Sequence, residues 1–164
     1  MRRAIKLLAS FALFASPSAA MAATAQTTFT VTANVVGTCT VLAGNLTFPN
    51  YTGVVDTANS TIQVNCSGGG SFTPSVALDA GLNGTLSGSS TVRNMSNGGL
   101  FLPYNLYSDT SHTSVWANGT AAIGTTITAP ATSASLTVYG QIVAGLTPPS
   151  GGIYSDTITV TVTY

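Results

Sequence analysis

Thr157-Ile158-Thr159-Val160-Thr161-Val162-Thr163-Tyr164 alternates strictly between apolar and hydroxyl side chains. In an extended chain successive side chains point to opposite faces, so Ile158, Val160, Val162 and Tyr164 share one face and four threonines the other. A helix would scatter both sets around its axis. This stretch therefore reads as a half-buried β-strand. Thr27-Thr28-Phe29-Thr30-Val31-Thr32-Ala33-Asn34-Val35 has the same grammar, with Phe29, Val31, Ala33 and Val35 on one face. Gly37 ends that run, and Thr38 to Leu42 resumes a short strand.

Between these two stretches the pattern repeats. Ser60 to Cys66, Ser75 to Asp79, Leu100 to Tyr107, Gly124 to Thr128 and Ser135 to Val143 read as strands. Leu46-Thr47-Phe48 leads into Pro49 and a turn. Ser67 to Gly70, Gly81 to Gly84, Asn97-Gly98-Gly99, Asn118-Gly119 and Pro148 to Gly152 carry loop or turn chemistry. No segment combines a helical period with caps. Many short strands with regular turn signals predict a single all-β domain, a β-sandwich.

The basic residues are placed unevenly. Arg2, Arg3 and Lys6 precede the apolar run Leu7 to Ala15 and the small residues Ser18-Ala19-Ala20-Met21-Ala22. That order predicts an export signal over 1–22, cleaved after Ala22 or, alternatively, after Ala20. The apolar run is shorter than the ~20 residues a membrane-spanning helix needs. Residues 23–164 keep Arg93 against Asp56, Asp79, Asp109 and Asp156, with no Lys and no Glu, a net charge of −3. So weak a basic endowment excludes a nucleic-acid binder and disfavours an anionic membrane surface. In an oxidising compartment Cys39 and Cys66 are expected to form a disulfide worth roughly 3–4 kcal/mol.

Residues for chemistry are sparse. His112, the single histidine, lies in Ser108-Asp109-Thr110-Ser111-His112, which reads as a polar turn rather than a nucleophilic triad. The aspartates show no spacing that pairs them, and Asp156 reads as part of a turn leading into the last strand. No calcium loop or phosphate-binding loop occurs, and two distant Cys with one His do not make a zinc site. Trp116, Tyr104 and Tyr107 read as core packing, with a sugar-binding face as the competing use. No enzymatic activity, metal or cofactor is expected. Both ends of the processed chain are expected to be amphipathic strands, and bare strands of this kind invite pairing with other chains.

The segments TTFTVTANVVGTCTV (27–41), VALDAGLN (76–83), YNLYSDTSHTSVW (104–116), LTVYGQIVAG (136–145) and YSDTITVTVTY (154–164) resemble the spore coat protein U domain, the fold unit of archaic chaperone–usher pilins. Val54 to Asn59 and Gly84 to Ser96 depart most from that pattern. The resemblance implies an immunoglobulin-like β-sandwich lacking its final strand, completed by a donor strand from the next subunit. Chaperone–pilin complementation is itself a named case of β-strand addition. Carried onto this chain, it implies a donor extension over 23–36 with Phe29, Val31, Ala33 and Val35 pointing into a neighbour's groove. The domain follows over 37–164, and Ile158, Val160, Val162 and Tyr164 flank the acceptor groove. Cys39 and Cys66 are structural. The implied partners are copies of the chain or related pilus subunits, a periplasmic chaperone and an outer-membrane usher. The implied route runs through the periplasm to a cell-surface fimbria or coat, in support of adhesion or biofilm formation. A surface adhesin or carbohydrate-binding module, a spore or cyst coat protein outside a pilus, and a secreted hydrolase are the competing expectations.

Overall fold

The computed structural model describes residues 23–68, 70–87, 90–117, 122–128, 132–147 and 150–164. The expected export signal and the turns at 118–119 and 148–149 lie outside the described residues. The chain divides into two units, Met1–Ala33 and Asn34–Tyr164. In the first, the described residues, 23–33, are exposed and join no strand.

The second unit is the β-sandwich. Its strands are β1 (Thr38–Ala43), β2 (Asp56–Ser67), β3 (Ser71–Phe72), β4 (Ser75–Leu78), β5 (Thr85–Ser87), β6 (Ser90–Asn97), β7 (Leu100–Tyr107), β8 (Ile123–Gly124), β9 (Ile127–Thr128), β10 (Ser133–Ile142) and β11 (Val160–Thr163). A six-stranded sheet in the order β1-β2-β10-β7-β6-β5 faces a three-stranded sheet, β11-β4-β8, with β3 and β9 as a separate pair. All pairings are antiparallel. The result is an incomplete immunoglobulin-like sandwich, an open half-barrel whose small sheet ends at β11.

Local chemistry explains the breaks. Pro74 has no N–H, and the strand pair is interrupted there: Phe72 pairs with Ile127 before it and Ser75 with Gly124 after it. The expected single strand Gly124 to Thr128 is thus split into β8 and β9. Pro103 lies outside the short β7–β10 ladder, which covers only Asn105 to Tyr107, so no ladder bond is missing. Gly98 and Gly99, with φ of 58° and 88°, close the tight β6–β7 turn.

Two expectations are corrected. Thr27 to Val35 has the pattern of a strand but forms none, since none of the described strands pairs with it. The strand expected over 157–164 pairs only from Val160, because its partner β4 ends at Leu78. Strands β5 and β6 were not expected. On β6 Arg93 is fully buried whereas Val92 is 52% exposed, which inverts the usual hydrophobic signal.

Ile62, Val64, Val76, Leu78, Trp116 and Ile142 are central to the core. Trp116 is buried, and its indole N–H donates to the Val76 carbonyl over 2.9 Å. Tyr104 and Tyr107 are buried too, which fits core packing for all three aromatics. Cys39 and Cys66 stand opposite one another in the β1–β2 register and are disulfide-bonded.

Candidate functional site

A groove of about 990 Å³ opens along the sandwich. Its floor includes Ile62, Leu78, Leu102, Leu106, Val138 and Ile142, drawn from both sheets. These are inward-facing strand residues, each exposed by 5% or less, so the groove reaches down to the core without laying it bare.

One wall is the segment that follows β1. After Gly44, whose N–H donates to the Thr61 carbonyl, the chain leaves β2. Leu46 and Phe48 then lie against Gly140 of β10, so closely that a β-carbon there would stand 2.9 Å from each side chain. The Phe48 ring meets Tyr104 edge-on at 6.2 Å. Tyr51 anchors the end of the wall, its hydroxyl donating to the Val143 carbonyl (2.7 Å) and accepting from the Leu146 N–H (3.1 Å).

The opposite wall runs from Ser150 to Ile158 and on to Val160. The main chain of Thr159 points towards Asp79: its N–H donates to Asp79 Oδ1 (2.9 Å), and its carbonyl accepts from the Asp79 N–H (3.1 Å). Strand geometry alternates these directions, so Ile158 and Val160 turn their N–H and C=O groups to the other side. On that side β11 is the edge of its sheet, and no described strand pairs with it. The groove thus has apolar side chains along its floor and, among the described residues, one wall edge with no strand partner.

Two carboxylates hold this wall. Asp156 Oδ1 accepts from the N–H groups of Leu82 and Thr157, both at 2.9 Å, and Oδ2 accepts from the Tyr104 hydroxyl at 2.7 Å. Burial, with the Asp156 carboxylate beside it, pushes the Tyr104 phenol far above its ordinary pKa and keeps it a donor. Burial acts to raise the Asp79 carboxyl, but hydrogen bonds from Thr159 and Gly81 and the nearby Arg93 charge outweigh it and hold it below the usual carboxylate range.

The sequence-predicted site residues separate into groups. Ile158 and Val160 line the groove. Val162 is half-buried against the core, and Tyr164 is 59% exposed. Phe29, Val31 and Val35 are 86%, 80% and 73% exposed, and Ala33 is exposed as well. His112 sits in a turn with a φ of 54°, its ring edge-on to Tyr107 and Tyr139. The Asp109 carboxylate is taken by Thr113 and Ser114 of the same loop, hydrogen bonds that hold its pKa well below the usual range. Asp109 is thus committed to its own turn, and no triad geometry arises. Among the described residues no group of three or more His, Cys, Asp or Glu could hold a metal ion, and no helix is long and apolar enough to cross a membrane. Sequence reasoning missed the first wall and most of the floor. The Leu46-Thr47-Phe48 alternation was the available signal, and Pro49 masked it.

Residues 25–161 match the Spore Coat Protein U domain family. No curated protein matches the chain.

Proposed function

The chain belongs to the Spore Coat Protein U domain family, and from that premise we propose that it is a subunit of a surface fimbria or coat, joined copy to copy by donor-strand complementation. Family membership and the incomplete sandwich support the coarser reading, a structural and non-enzymatic protein of the pilin or coat type. The observation that carries the finer reading is the open groove, apolar along its floor and bordered by the unpaired edge of β11.

The donor is the segment Gln26 to Val36 of another copy, with Phe29, Val31, Ala33 and Val35 facing down into the groove. These side chains are exposed in the single chain, so burying them is worth on the order of 5–8 kcal/mol before ordering costs. Ladder bonds to the edge strand fix the register. Each subunit offers one donor and one groove, a head-to-tail relation that builds a filament. In this reading residues 1–22 direct export, a periplasmic chaperone covers the groove in transit, and an outer-membrane usher exchanges the chaperone for the next donor. The filament then serves adhesion or biofilm formation.

The test uses residues 23–164 carrying Phe29→Asp or Val31→Asp. Both variants should lose self-assembly, followed by light scattering and electron microscopy, and should keep their complex with the chaperone. Normal assembly by these variants would overturn the donor assignment.

A further inference from the structure

The wall is held by main-chain bonds at two points, where Ser155 exchanges N–H···O=C bonds with Ser96 of β6 (2.8 and 3.1 Å) and where the Thr159 carbonyl accepts from the Asp79 N–H (3.1 Å). Strand β4 ends at Leu78, opposite Val160, so Asp156, Thr157 and Ile158 run between those two points without a neighbouring strand to set their spacing. Side chains take over that task. The Asp156 carboxylate gathers the Leu82 and Thr157 N–H groups on one oxygen and the Tyr104 hydroxyl on the other. Those partners belong to the loop after β4, to the wall itself and to β7 of the opposite sheet.

Gly81, with a φ of +79°, packs against this carboxylate, and a β-carbon there would run into it. The loop is thus shaped to receive Asp156. Asp156, Thr157, Ile158 and Tyr104 all line the groove. The N–H groups of residues 157 and 159 turn to carboxylates on the β4 side, which leaves the main chain of Ile158 facing the open edge.

We infer that Asp156 is a positioning residue for strand capture. By tying the wall to the loop after β4 and to β7 of the large sheet, it holds the Ile158 main chain at the spacing an incoming strand needs. Without it, an arriving strand would pair with Val160 and beyond but find the preceding stretch displaced. The inference rests on the donor-strand reading and adds to it the group that sets one end of the groove.

The experiment separates the two. A chain of residues 23–164 with Phe29→Asp cannot donate but keeps its groove, and a labelled peptide of residues 25–36 serves as donor. Adding Asp156→Ala should weaken peptide binding about 10- to 100-fold, the loss expected for a charge-assisted hydrogen-bond set. Asp156→Asn keeps an acceptor oxygen for both N–H groups and should recover most of that loss. Tyr104→Phe, which removes a single hydroxyl, gives an intermediate loss and serves if Asp156→Ala does not fold. Amide exchange supplies a readout that a general loss of stability would not produce. Bound peptide should protect Ile158 in the Phe29→Asp chain but leave it unprotected after Asp156→Ala, while Val162 is protected in both. Equal affinity and equal Ile158 protection with and without the Asp156 carboxylate would overturn this inference alone. A peptide that binds none of these chains would overturn the donor-strand reading and this inference with it.

Discussion

Arg93 is the one basic residue after position 22, and it is fully buried. Its Nε and Nη2 groups donate to the carbonyls of Asp79 (3.0 and 2.7 Å), and Nη2 also reaches Trp116 (2.7 Å) and Leu78 (3.4 Å). The side chain thus bridges β6 of the large sheet to the end of β4 in the small one. Burial lowers its pKa, and nearby Tyr104, Asp79 and Asp156 act in the opposite sense. A guanidinium stays charged at neutral pH all the same, so it caps carbonyls that the end of a strand would otherwise leave unpaired. Arg93→Met should cost about 3–5 kcal/mol, read as a lower urea midpoint, because buried acceptors lose their donors. Arg93→Lys should recover only part, since one ammonium cannot span three carbonyls. A midpoint within error of wild type for Arg93→Met would refute this account. Composition revealed that Arg93 was alone, but not that it faced inward. A lone Arg in a polar run reads as surface, and its burial depends on carbonyls brought together from 78, 79 and 116.

At the scale of elements, the decisive contrast is between strands that have partners and strand-like segments that lack them. Strand β7 was legible from Leu100 to Tyr107, and the β6–β7 turn from Gly98-Gly99. The segment Asn45 to Tyr51 was not, because it forms no strand and still builds a wall of the groove. What seats it is a missing side chain: Gly140 lets Leu46 and Phe48 lie flat on β10. Gly140→Val should push both outward into the groove. The expected result is a loss of about 1–3 kcal/mol from overpacking, together with slower self-assembly of residues 23–164. The variant is checked by its urea midpoint and its light-scattering lag. Unchanged values in both would mean that this wall re-seats elsewhere at no cost.

The whole molecule is closed at one place by chemistry and left open at another by topology. The disulfide fastens β1 to β2, where Cys39 and Cys66 meet across the register at a separation of 27 residues. Reducing it should remove roughly 3–4 kcal/mol. Trypsin reports this cleanly in a chain of residues 23–164, because its target there, Arg93, is reached only when the sandwich opens. The reduced chain should be cut about 100-fold faster or more where opening is in equilibrium, and equal cutting rates would show that the crosslink carries no stability. The sequence by itself determined that this is an all-β chain, because period-two alternation in Thr- and Val-rich stretches admits no other regular structure. It also determined that the charge is sparse, that the two cysteines had only each other as partners, and that Thr27 to Val35 has one apolar face. Only the tertiary structure decided which faces are covered. A strand pattern names a buried face without naming what buries it, so the groove, the inward turn of Arg93 and the hold of Asp156 on its wall arise from residues far apart in the chain. The incompleteness of the sandwich is of the same kind: it lies in the order of the strands, which leaves β11 at the edge of its sheet.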